Sequence, residues 1–173
     1  MGLIPILQTY FSISAADAGW AVSIFALMIT LCAPIVPLLC AGFNQKNLML
    51  FCLAVFSIAS FLAIFVTSFW QLLVLRGIMG IFHPIYTALA LAIAAKSALN
   101  PKDAPKEVAK VFAGVSAGMV LGVPMGSFLG GNFSYQVSQA FFCLLTSLCF
   151  ILTFFFVKNT GKGEKPHLQE QVS

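Results

Sequence analysis

The sequence predicts an all-α protein, a polytopic membrane helix bundle. Of 173 residues, 60% are hydrophobic and 8% charged, a balance that a water-soluble domain does not show. The apolar residues fall in five runs of about 18 or more, enough at ~1.5 Å per residue to cross ~30 Å of hydrocarbon as a helix. The connections between runs are short, so no soluble domain fits among them.

The elements follow in order. The first 18 residues hold no Lys or Arg and one acid, Asp17, so they lack the basic start of a secretory signal. Only Gly2 to Leu7 is continuously apolar before Gln8, at most ~9 Å of helix and too short to span. Residues 1–18 are therefore expected to be the end of a truncated first transmembrane helix and an outer loop. Ser14-Ala-Ala-Asp17 is a capping box: the Ser14 hydroxyl accepts from the Asp17 backbone N–H and the carboxylate reaches back. Five transmembrane helices are expected at about 19–39, 48–69, 70–95, 111–131 and 133–157, followed by a polar tail, 158–173, reading KNTGKGEKPHLQEQVS.

Loop charge gives an orientation. Lys46 lies between the first and second spans, Lys96, Lys102, Lys106 and Lys110 between the third and fourth, and Lys158, Lys162 and Lys165 after the fifth. All eight fall on one side, and the opposite loops carry none, so the lysine side and the carboxyl terminus are expected to be cytoplasmic. Trp20, Trp70 and Tyr135 are placed at the outer ends of spans, where amphipathic rings favour the headgroup layer. Five spans would put the amino terminus outside. One more helix upstream, with Met1 to Leu7 as its last turns, would return it inside, so the sequence is expected to begin within a first helix.

The ninth basic residue, Arg76, lies inside a span. A guanidinium there is costly unless it faces protein or water, which makes it a functional candidate. At ~100° per residue, Gly80, His83 and Thr87 share its face, with Arg76 in the outer third and His83 near the midplane. Two readings stand for each: transport residues, or an Arg76 that snorkels to the headgroups and a His83 that packs.

Residues 114–131, GVSAGMVLGVPMGSFLGG, place glycine at Gly114, Gly118, Gly122, Gly126 and Gly130. Each weakens a helix by roughly 1 kcal/mol relative to alanine in water, so the ladder needs an offsetting gain. Close backbone approach between helices in lipid supplies it, which makes the ladder a packing face. Steps of four drift by ~40°, so the groove winds around the helix and its partner crosses at an angle. Pro124 removes one backbone donor in the same region and can bend the helix.

Other chemistry is poorly represented. The five cysteines have no metal-ligand spacing and suit apolar packing. There is no phosphate-binding Gly-x-x-x-x-Gly-Lys, no His-Glu-x-x-His and no pair of intramembrane carboxylates, so neither an enzyme nor a metal or cofactor is expected. Nucleic-acid binding has no support. Asn132-Phe-Ser134 is formally a glycosylation acceptor but abuts the membrane.

These residues resemble the major facilitator superfamily of secondary transporters, in its drug:proton antiporter branch. GMVLGVPMGSFLGG, Gly118 to Gly131, looks like the antiporter motif on the fifth of twelve helices, with Gly122, Pro124 and Gly126 on its positions. Arg76 with Gly80 looks like the fourth-helix motif, whose arginine the family uses in proton coupling. His83, in Arg-x-x-x-Gly-x-x-His, is similar to the arabinose-efflux-like subgroup, and AGWAVSIFALMITLCAPIVPLL resembles the second helix. The resemblance implies that the spans are helices two to six, a partial amino-terminal half of the fold. One loop departs from it: where the family carries Gly-x-x-x-Asp-Arg-x-Gly-Arg-Arg/Lys, PLLCAGFNQK keeps only Lys46. That subgroup tends to lack the aspartate as well. Pro84 stands where the subgroup has glycine.

The implied activity is proton-coupled efflux of small organic solutes across a bacterial plasma (inner) membrane, by rocking of one half-bundle against another. Its partners are a small-molecule substrate, a proton, membrane lipid, and either the missing second half or a homo- or hetero-dimer partner. The isolated half is expected to be inactive. The alternative is a non-transporting membrane assembly partner that associates through the glycine ladder.

Overall fold

The computed structural model describes residues 4–40 and 42–157; the expected tail at 158–173, with its three lysines, lies outside the described residues. The chain forms α1 (Ile4–Phe11), α2 (Ala15–Cys32), α3 (Val36–Leu39), α4 (Gln45–Ile64), α5 (Phe69–Lys96), a 3-10 turn (Pro101–Asp103), α6 (Ala104–Asn132) and α7 (Tyr135–Phe156). Five of these, α2, α4, α5, α6 and α7, are long and apolar enough to cross a membrane.

Local chemistry sets the ends. Ser14 caps α2: its Oγ accepts from the Asp17 backbone N–H at 3.1 Å and donates to Asp17 Oδ2 at 2.6 Å. The carboxylate thus meets the Ser14 hydroxyl rather than the backbone N–H of a standard capping box. Helix α2 stops at Cys32, and the expected span 19–39 is divided into α2 and the single turn α3. Pro34, which has no N–H to continue the ladder, lies in the break. The α4–α5 turn is tight because Gln71 Oε1 accepts from the backbone N–H of both Thr67 (3.1 Å) and Ser68 (3.3 Å). Ser134 Oγ caps α7 through the Val137 N–H.

Helix α5 starts at Phe69 and runs to Lys96, and α6 begins at Ala104, well before the apolar run at 111. The pairs Lys106–Asp103 (2.8 Å) and Lys110–Glu107 (2.7 Å) line its first turns, where a helix emerging from lipid meets water.

Helix α4 packs on α5 and α7, α5 also packs on α2, and α6 rests on α7 and α5. At one end of the bundle the Lys46 ammonium donates to Phe154 O at the end of α7 (2.9 Å), and Lys96 donates to Gln45 Oε1 (3.5 Å). The opposite, lysine-free end is tied by Tyr10, whose hydroxyl donates to Val66 O (3.3 Å) and accepts from Gln136 Nε2 (3.0 Å). Leu7, Ala18, Ala63, Leu72 and Tyr135 make the buried cluster beneath it. A second cluster, Met49, Leu53 and Phe56 with Met79, Phe82 and Tyr86, holds α4 to α5. Many outward side chains are large and apolar, as a surface solvated by lipid tails requires.

Trp20 and Trp70 are 58% and 76% exposed at the lysine-free end, where the headgroup layer was expected to meet them. Tyr135 does not join them. It is 2% exposed, stacked on Tyr10 at 4.6 Å with Phe11 edge-on, because α1 covers the start of α7.

Candidate functional site

Helix α5 carries Arg76, Gly80, His83 and Thr87 without interruption, passing through Pro84. At 1.5 Å per residue it is about 42 Å long, with Arg76 about 10 Å and His83 about 21 Å from its start. Pro84 removes the N–H that would reach Gly80 O. One turn on, Thr87 Oγ1 donates to His83 O at 3.0 Å and lies 3.5 Å from His83 Nδ1. The hydroxyl is therefore committed to the backbone and stands beside the imidazole.

The expected stripe separates by neighbour. His83 is half-buried between α2 and α4, edge-on to Phe25 (5.5 Å) and tilted against Phe56 (6.5 Å). Gly80 is buried against α2: a Cβ there would lie 2.7 Å from Met28 Cβ and 2.9 Å from Phe25 O. Arg76, half-buried, is within electrostatic range of Tyr135 of α7. Gln139, on the next turn of α7, is also buried. Both Arg76 and Tyr135 thus belong to the lysine-free half of the bundle. No ion pair joins Arg76 to a carboxylate among the described residues. The acids lie elsewhere: Asp17 and Glu107 in the first turns of α2 and α6, Asp103 beside α6, and Glu164 and Glu170 outside the described residues.

The glycine ladder divides in two. Gly126 is buried against α7, where a Cβ would meet Phe142 Cζ at 2.7 Å, and Gly130 faces Ile6 of α1. Ser138 Oγ donates to Gly126 O at 2.9 Å, a buried bond between α6 and α7 two residues past Pro124. At Gly114, Gly118 and Gly122 nothing described lies within 4 Å. The division follows from the winding: sixteen residues at 100° place Gly114 and Gly130 about 160° apart. One end of the ladder therefore meets this bundle and the other faces outward.

Sequence reasoning did not find Tyr10, Tyr135, Gln136 or Ser138 as organising residues. Each acts through a partner distant in the chain, such as Tyr10 and Gln136, 126 positions apart. No short-range pattern carries that signal. Among the described residues no three His, Cys, Asp or Glu side chains converge on a metal-sized site.

Comparison with known proteins agrees with this architecture. The chain is 24% identical over all 173 residues to the inner membrane transport protein YdhP of Escherichia coli (strain K12), covering 44% of that protein. It is 30% identical over 95 residues, 55% of this chain and 24% of the relative, to the uncharacterized MFS-type transporter YtbD of Bacillus subtilis (strain 168). It is 28% identical over 96 residues, 54% of this chain and 18% of the relative, to Protein spinster homolog 1 of Xenopus laevis. The chain thus spans less than half the length of these curated relatives. The family model of the Major Facilitator Superfamily matches residues 1–172, and the chain belongs to that superfamily of membrane transporters.

Proposed function

We propose that this chain is one wall of a proton-coupled exporter of small organic solutes, of drug, sugar or nucleoside type. In this reading it belongs to the drug:proton antiporter branch and its arabinose-efflux-like subgroup. The observation that carries it is Arg76, an intramembrane guanidinium on α5 with no carboxylate ion pair among the described residues. Such a charge needs an anionic or strongly polar counterpart, and intramembrane ionisable groups mark ion and substrate pathways. Arg76 lowers the proton affinity of a group that approaches it, and His83 supplies a second titratable group about 10 Å further along α5. Substrate and proton then exchange as this half-bundle rocks against a second one. The lysine-rich end lies in the cytoplasm of a bacterial cell and the lysine-free end outside.

The open stretch of the ladder, Gly114, Gly118 and Gly122, is the surface on which the second half, or a dimer partner, seats in this reading. It also favours the alternative, an assembly partner that does not itself transport. Substrate efflux and proton flux in inverted vesicles, measured beside assembly in detergent, separate the two. Loss of both fluxes in Arg76→Ala with assembly intact supports the exporter. Unchanged flux in Arg76→Ala, or no flux in any assembled form together with loss of assembly in Gly122→Leu, would sink it.

A further inference from the structure

Helices α2 and α5 are in close contact at Gly80, where Met28 and the Phe25 carbonyl leave no room for a side chain. Toward the lysine-free end they part, and at Gly77 the nearest atom across the gap is Ile24 Cγ1, 3.9 Å from where a Cβ would stand. The space between them is a groove of about 1060 Å³, bounded at its mouth by the end of α1 and the α4–α5 turn.

Its lining changes along its length. Ser12, Asp17, Thr67 and Ser68 line the polar mouth, with Trp20 and Trp70 beside them. Deeper in, Ile24, Met28, Val74, Ile78 and Ile81 form an apolar track. Among the described residues, Asp17 is the one charged side chain of the lining. Its carboxylate accepts from Ser14 Oγ and makes no ion pair among the described residues. The track also has a defined length: Asp17 to Met28 on α2, and Trp70 to Ile81 on α5, each rise about 16 Å, the depth of one leaflet of a ~30 Å hydrocarbon core.

We propose that this groove binds one phospholipid whose head group carries an ammonium. The ammonium donates to the Asp17 carboxylate with the Trp20 and Trp70 rings beside it, and one acyl chain lies along Ile24, Met28, Val74 and Ile78. An anionic head group would meet the Asp17 charge with no basic residue among the described lining residues to compensate. The site is independent of Arg76 and His83, neither of which lines it.

The two tryptophans of the chain both flank the groove, which supplies a direct probe. The full chain is reconstituted in vesicles of equal parts phosphatidylethanolamine and phosphatidylglycerol, with brominated acyl chains on one lipid or on the other. Brominated phosphatidylethanolamine should quench the tryptophan fluorescence at least about twofold more strongly than brominated phosphatidylglycerol, Asp17→Asn should abolish that excess, and Asp17→Glu should keep it. Equal quenching by the two lipids in the unmodified chain, an excess that survives Asp17→Asn, or no quenching by either lipid because protein covers the groove, would each overturn the proposal.

Discussion

At Gly80 α2 and α5 are in close contact, and a single methyl group there is expected to separate them. A Cβ would stand 2.7 Å from Met28 Cβ and 2.9 Å from Phe25 O, whereas ordinary contacts begin at 3.4 Å. The helices must therefore part by at least about 0.7 Å, and because one obstacle is a backbone carbonyl, no rotamer change relieves it. Overpacking of this kind costs about 1–3 kcal/mol, while the better helix propensity of alanine returns about 1 kcal/mol. Gly80→Ala should thus be destabilised by up to about 2 kcal/mol. Gly122→Ala, with nothing within 4 Å, should be neutral or slightly stabilised in the same chain. Titration with sodium dodecyl sulfate from mild detergent, followed by circular dichroism, measures both. Gly80→Ala more stable than the unmodified chain, or a loss as large in Gly122→Ala, would refute the close-approach argument.

Three further outcomes can be read in the same titration. Ser138→Ala removes the buried bond to Gly126 O and should cost about 0.6 kcal/mol, the average for hydrogen bonds between membrane helices, and at most about 1.7 kcal/mol. Tyr10→Phe removes the hydroxyl that links Val66 O to Gln136 and should cost about 0.5–1.5 kcal/mol, while the ring stacking on Tyr135 is kept. Lys46→Met deletes the ammonium that meets the last turn of α7 at Phe154 O. It should cost about 0.3–1 kcal/mol at low salt, and less as salt is raised.

The spans were legible because hydropathy over about 18 residues does not depend on which neighbour a helix meets. Their ends were less so. A scan for uncharged residues stops at Lys110, yet α6 begins at Ala104, since Lys106, Glu107 and Lys110 pair along a helix that extends past the apolar stretch. The break after Cys32 was written in Pro34, whose missing N–H outweighs an unbroken apolar run. Arg76 stood out as the lone charge in a span, but the neighbours that half-bury it depend on how the helices pack, which no local pattern encodes. The same holds for the glycines. Their spacing announces a small-residue face, and only the packed bundle separates Gly126 and Gly130, which meet α7 and α1, from the three that do not.

The account rests on this bundle being one of two walls, joined at the open glycines of α6. A photo-reactive amino acid placed at residue 118 in the protein as it sits in its cell membrane tests that directly. The account predicts a cross-link to polypeptide, either a second helical bundle or a second copy, that is lost in Gly122→Leu. Cross-links to lipid alone would mean that this face is an outer surface, and the two-walled reading would fail.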